Sequence, residues 1–301
     1  MRTTVSLLLA ALVACGSKSG GAGDKPKVAV SIFPLYDLAR RVAGDRLDVA
    51  LVLPPGKSEH QYDPTPQEMA RLQGAKLGIA VGFDMDSWVE PVMQGAKLVR
   101  VGERVKTMPI AVEPIGEAEA HAGEAPDADD KPGAPDPHVW MDPQRMITVV
   151  DAIVGELAAV DAAGKDAFAK NGETVKASLR ALDDKIAARA KTWTKHVIVT
   201  FHGSMSYYAK RYGVTIAAVV EPLAGKEPTP KYVGEVLAAI KRGNASALFS
   251  EPQFDRGPGE TIAREAGIPL GELDPVGGVD GRDSYEKLIE WNTDQLERVL
   301  K

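Results

Sequence analysis

Short runs rich in Val, Ile and Leu recur along the chain, separated by stretches in which apolar residues return at helical spacing. In the first half the runs are Val28–Ile32, Leu47–Leu53, Lys76–Val81 and Lys97–Val101, with helical patterns over Leu35–Val42 and Pro66–Gln73 between them. The same grammar restarts late in the chain. Runs at His196–Thr200, Val214–Val220, Ala247–Phe249 and Ile268–Leu273 alternate with helical patterns at Ser204–Tyr212, Pro230–Arg242 and Gly259–Ala266, and Ser284–Leu300 closes the chain. Strands alternating with helices predict parallel sheets covered on both faces. The expected fold class is therefore α/β, with two lobes, each a parallel sheet with flanking helices. The halves share no close sequence identity, so the repeat is one of architecture.

Between the halves, Pro143 to Lys195 carries two helical patterns broken near Asp161-Ala162-Ala163-Gly164. The second, from Lys165 to about Thr192, sets Phe168, Val175, Leu179, Leu182 and Ile186 at helical spacing. A helix of that size is roughly 40 Å long and acts as a stiff strut between lobes. The expected organisation is an N-terminal lobe over 27–163, a long linking helix over 164–195 and a C-terminal lobe over 196–301.

The N-terminus departs from this pattern. Met1-Arg2 is followed by an apolar run from Val5 to Ala14, too short to span a bilayer, that stops at Cys15, the one cysteine of the chain. Residues 1–15 read as a lipoprotein signal ending at a lipidated Cys15, and the Gly/Ser-rich residues 16–26 as a flexible tether. Gly116 to Pro137, rich in Glu, Asp, Ala, Gly and Pro and containing His121, reads as an acidic loop, either a solvated insertion or a loop that gathers cations near His138.

With 301 residues the chain can bury two substantial cores, and 44% hydrophobic with 26% charged residues is ordinary for a globular protein. A net charge of -6 without a long basic run argues against nucleic acid as a partner. No disulfide framework is available to a chain with one cysteine.

The chemistry concentrates on histidine. Of five histidines, His60, His138 and His202 stand at chain-reversal signals, too far apart for one helix or loop to unite them. Neutral imidazole is a common metal ligand. In open parallel sheets ligands bind beyond the carboxyl ends of the strands. His60 falls in the loop after the second predicted strand, His202 directly after the fifth, Glu251 after the seventh and Asp274 after the eighth. His138 precedes a helix start, flanked by Pro137 and Pro143. A site drawing on both halves would occupy the cleft between them. Taken singly, each residue has a plainer reading: a capping or packing histidine, a helix cap or Asx turn for Asp274, and for Glu251 the same or a carboxylate that orients an imidazole. His196 begins a strand and does not point to the cleft. A secreted zinc hydrolase, with three ligands, an open position and Glu251 or Glu59 as base, is the competing class, although no His-Glu-x-x-His motif supports it.

Five motifs carry a resemblance: Ser58-Glu59-His60-Gln61-Tyr62-Asp63-Pro64, Pro137-His138-Val139-Trp140-Met141-Asp142-Pro143, Thr200-Phe201-His202-Gly203, Ser250-Glu251-Pro252-Gln253 and Leu273-Asp274-Pro275. In this order they resemble the metal-binding receptors of zinc and manganese ABC importers, over about Lys27 to Lys301. The resemblance implies two lobes joined by one long rigid helix, with His60, His138, His202 and Asp274 as metal ligands in the cleft. It implies a monomeric, lipid-anchored receptor of the bacterial envelope that is not an enzyme and hands its ion to a membrane permease. A surface adhesin or metal buffer on the same scaffold would share the site. Manganese receptors of this type carry a carboxylate where this chain has His202, so zinc is favoured over manganese. Zinc receptors often have a histidine-rich loop where this chain has the acidic 116–137. The chain has no Gly-x-x-x-x-Gly-Lys-Ser/Thr phosphate loop and is not the importer's ATPase.

Overall fold

The computed structural model describes residues 25–93, 95–110, 133–222 and 228–301. Cys15, most of the 16–26 tether, and His121 with most of the 116–137 segment lie outside the described residues. Two four-stranded sheets, each wholly parallel, carry the fold. The first holds β1 (Lys27–Val30), β2 (Asp48–Leu51), β3 (Leu77–Ala80) and β4 (Lys97–Arg100) in the order β2-β1-β3-β4. The second holds β5 (Val197–Thr200), β6 (Thr215–Val219), β7 (Leu248–Ser250) and β8 (Leu270–Glu272) in the order β6-β5-β7-β8. The two orders are the same once renumbered from each half's first strand, which is the architectural repeat expected from the sequence. In both sheets the order reverses at the first strand, and such a switch point opens a crevice beyond the strand ends.

Helices α1 (Phe33–Ala43), α2 (Pro66–Leu72), α3 (Pro143–Val160), α4 (Lys165–Ala190), α5 (Ser206–Tyr212), α6 (Pro230–Gly243), α7 (Gly257–Ala266) and α8 (Tyr285–Leu300) complete the framework. Their starts follow local chemistry. Thr65, Asp142, Thr229 and Ser284 each accept a backbone N–H of the first turn, and Pro stands early in α1, α2, α3, α6 and α7.

Helix α4, 26 residues and about 39 Å long, buries Phe168, Gly172, Val175, Leu179, Leu182 and Ile186 along one stripe. Each such large apolar side chain contributes about 1.5–3 kcal/mol on burial. Gly172 lets α3 approach, since a Cβ there would stand 2.6 Å from Val154 Cγ2. The helix stops at Ala190, short of Thr192. Trp193 turns into the core, and the N–H groups of Thr194 and Lys195 donate to the Leu300 carbonyl at the end of α8.

Polar contacts tie the strut to both halves. Arg41 of α1 meets Glu286 of α8 at 2.8 Å and donates to Ser178 of α4 at 2.9 Å, while Ser178 donates to Glu286 at 2.6 Å. Burial raises the Glu286 carboxyl, but Ser178 and Arg41 more than reverse this and hold it below the usual carboxylate range. On the same helix Asp183 takes the Arg211 guanidinium, the Tyr212 hydroxyl at 2.9 Å and the Gln144 amide at 2.9 Å. One continuous apolar core runs from β1 through α1, α3, α4 and α8, with a second core inside the C-terminal half.

Candidate metal centre

His60 stands in the loop between β2 and α2. Its N–H donates to Ser58 Oγ at 3.3 Å. The neighbouring Glu59 is fixed by its carbonyl, which accepts from Trp88 Nε1 at 2.7 Å, and Trp88 packs edge-on against Tyr62 at 5.1 Å. Glu59 is fully buried, and among the described residues neither carboxylate oxygen has a hydrogen-bond partner. A buried carboxylate in that state is costly unless a cation or proton joins it.

His138 precedes the tight turn Val139–Met141 that leads into α3. Its Nδ1 and its backbone N–H both lie 2.9 Å from Asp136 Oδ1. An ionised carboxylate only accepts, so Nδ1 carries the proton and Nε2 keeps its lone pair for a metal. Asp136 is held in turn, because its carbonyl accepts the Tyr207 hydroxyl at 2.8 Å. Burial pushes the Tyr207 hydroxyl up to about 12, which keeps it a donor. Trp140 ties the turn to the other half: its Nε1 donates to the Pro275 carbonyl at 2.8 Å, and its own carbonyl accepts Tyr285 Oη at 2.7 Å.

His202 leaves the end of β5 and faces Glu251, at the end of β7, across the switch point of the second sheet. Its Nδ1 lies 3.3 Å from Glu251 Oε2, and Ser204 Oγ donates to Glu251 Oε1 at 2.7 Å. Of the two roles left open for Glu251, the structure therefore favours the carboxylate that orients an imidazole.

The fold brings the three histidines together. Their ring centroids are 5.2, 4.8 and 4.8 Å apart, and His60 Nε2 lies 3.1 Å from His138 Nε2. Nitrogens bound to one tetrahedral zinc ion are about 3.3 Å apart, from Zn–N bonds of about 2.05 Å. One donor atom each from Glu59, His60, His138 and His202 lies within 4.8 Å of all the others. Three of these residues are buried and His60 is partly exposed.

Asp274 is placed differently and does not join that group. Its Oδ1 accepts the N–H groups of Val276 and Gly277, both at 3.0 Å, and the Gln253 amide at 2.8 Å. This is the Asx-turn arrangement that the sequence left open. Its Oδ2 lies 3.2 Å from Arg282 Nη1. It remains a neighbour of the centre: Gln253 shares a loop with Glu251, and Pro275 holds the Trp140 ring, 5.1 Å from that of His138. His196 is exposed ahead of β5.

Two residues of the centre were not assigned such roles from sequence. By composition Asp136 belongs to the acidic 116–137 stretch, although the Asp-Pro-His spacing brings its carboxylate back to the histidine. The sequence leaves Glu59 open between a general base and a member of the coordination shell, and the contact that fixes its carbonyl comes from Trp88, distant in the chain.

The sequence profile of the family described as zinc-uptake complex component A, periplasmic (ZnuA), matches residues 28–299. The chain belongs to this family. Its relatives include the iron ABC transporter substrate-binding lipoprotein MtsA of Streptococcus pyogenes serotype M1, 29% identical over all of this chain and 99% of MtsA. The manganese ABC transporter substrate-binding lipoprotein PsaA of Streptococcus pneumoniae is 27% identical over 97% of this chain and 95% of PsaA. A crystal structure of ZnuA superposes with a TM-score of 0.78 at 23% identity, covering 92% of this chain and all of that one, a likeness of fold. As a ZnuA-family member the chain is a metal-binding receptor of an ABC importer, is not an enzyme, and works in the cell envelope outside the cytoplasm. The hydrolase alternative falls with that assignment. Among the described residues no helix is long and apolar enough to cross a membrane.

Proposed function

We propose that the chain captures zinc in preference to manganese at His60, His138, His202 and Glu59, and delivers it to the membrane permease of its importer. The observation that carries this reading is the donor group itself, three imidazoles and one carboxylate drawn from loops of both halves and converging to within 4.8 Å. Three nitrogens and one oxygen suit zinc, whereas manganese takes more oxygen. The names of the relatives, one iron and one manganese, do not decide the metal. Asp274, the fourth position implied by the resemblance, is in this reading a ligand that an ion can recruit only by taking it from Arg282. The receptor acts as a monomer, anchored through a lipid on Cys15, with the N-terminal lobe, linking helix and C-terminal lobe divided near 164 and 195.

Elemental analysis of protein purified without added metal, followed by competition between zinc and manganese, tests the proposal. One zinc per chain, displaced only by a large excess of manganese, is the expected result. Preferential retention of manganese would defeat it. Loss of growth in chelated medium on deletion, restored by added zinc, is expected of a transport receptor and not of an adhesin.

A further inference from the structure

Asp274 is a buried carboxylate, linked to the histidine centre through Pro275 and Trp140, that faces a guanidinium. Arg282 Nη1 stands 3.2 Å from Asp274 Oδ2 and 3.7 Å from Glu272 Oε1. The guanidinium is held over the Trp291 ring, 4.3 Å from its centroid, and the Arg282 side chain is only 16% exposed. Its backbone is closed into a turn, with Arg282 N–H donating to Val279 and Gly278 N–H donating to Arg282. Asp274 is equally fixed: Asn292 of α8 accepts its N–H at 2.8 Å and donates to its carbonyl at 2.6 Å. Both partners are thus held in place, with little water to screen the pair.

We propose that Arg282 determines metal selectivity, as an internal cation that competes with the incoming ion for Asp274. This rests on the reading of the histidine centre as the metal site. With Arg282 in place the centre offers three imidazoles and Glu59, a set complete for a four-coordinate ion such as zinc. A harder ion such as manganese needs further oxygen donors; Glu251 and Asp136 are engaged on the Nδ1 atoms of His202 and His138, which leaves Asp274 as the carboxylate for such an ion to recruit. To recruit it, the ion must break the pair with Arg282 and bring a double positive charge towards a guanidinium that, among the described residues, keeps only Glu272, at 3.7 Å, as a counter-charge. Zinc, satisfied without Asp274, does not meet this penalty. Arg282 therefore acts against the ions that demand oxygen while leaving the nitrogen-rich centre intact.

The test uses the full chain stripped of metal, with zinc and manganese affinities measured by calorimetry and competition for the wild type, Arg282→Gln, Asp274→Asn and the double variant. Arg282→Gln is expected to raise manganese affinity about tenfold and zinc affinity less, as the ion's preference for oxygen requires. The double variant is expected to lose that gain. In the wild-type background, Asp274→Asn is expected to weaken zinc binding less than Glu59→Gln does. An unmoved zinc-to-manganese ratio in Arg282→Gln, or a gain that survives in the double variant, overturns the proposal while leaving the histidine centre standing. A wild type that binds neither ion overturns both. Should thermal melting show Arg282→Gln unfolded, Asp274→Asn alone decides: a zinc loss larger than that of Glu59→Gln overturns the proposal.

Discussion

The two halves share a strand order but hold the donors of the proposed metal site by different means. In the C-terminal half His202 rides directly on the end of β5, and the carboxylate that faces it rides on the end of β7, so the sheet itself sets their spacing. In the N-terminal half Glu59, His60 and His138 lie on loops that the sheet does not position. Their geometry comes from separate clamps: Trp88 on the Glu59 carbonyl, Asp136 on His138, and Tyr207 on Asp136. A strand-end ligand inherits rigidity from its hydrogen-bonded ladder, whereas a loop ligand needs side chains recruited from elsewhere. The comparison predicts that residues without contact to the metal matter more on the N-terminal side.

The largest expected effect is loss of a donor. Apparent zinc affinities of about 10–16 kcal/mol shared over four ligands assign about 3 kcal/mol to each, or on the order of a hundredfold or more in Kd. His138→Ala and His202→Ala should both lose that much by calorimetry. His202 is the donor from the C-terminal half, so His202→Ala should also abolish the gain in thermal stability on adding zinc. A full zinc-induced shift in that variant would mean that the ion is held by one half.

Much of this was legible in the sequence, for reasons that differ by residue. All eight strands fall within a residue or two of their apolar runs, because the inner strands of a covered parallel sheet carry a nearly unbroken apolar stretch and the edge strands β2 and β8 are flanked by apolar residues. His60, His138 and His202 stood out because turn signals placed each at a loop or element end, where an open α/β fold gathers ligands. Asp136 was hidden by its neighbours: composition assigned it to a solvated loop, while contacts from Met108 and from Tyr207, far along the chain, hold it in place. The pairing of Asp274 with Arg282 was hidden for the same reason. Nothing in Leu273-Asp274-Pro275 announces a guanidinium arriving from the turn before α8.

Carboxylates that orient a ligating imidazole come next. Their removal typically costs 10–100-fold in metal affinity. Asp136→Asn should fall near the upper end, because Asp136 also holds the backbone N–H of His138, on a loop. Glu251→Gln should fall near the lower end, since β5 and β7 continue to position His202. Parallel zinc titrations of the two variants measure the difference, and equal losses would remove the distinction between loop and strand. Trp88→Phe, which deletes the donor to the Glu59 carbonyl and keeps the ring against Tyr62, should cost less, about 1 kcal/mol for one hydrogen bond or roughly fivefold in Kd.

The smallest effect is expected at His121. Its segment belongs to the N-terminal half by sequence, and if loop residues dominate there, it is the place where a further ligand would be sought. The donor group already counts three imidazoles and a carboxylate without it, and a tetrahedral ion has no fifth position to offer. His121→Ala should therefore change zinc affinity by less than about twofold, within the scatter expected of a substitution that removes no ligand, and should leave the stoichiometry at one. A loss comparable to that of His138→Ala would bring the acidic segment into the coordination shell. The N-terminal half would then hold the ion with loops alone, and His202 would become an accessory.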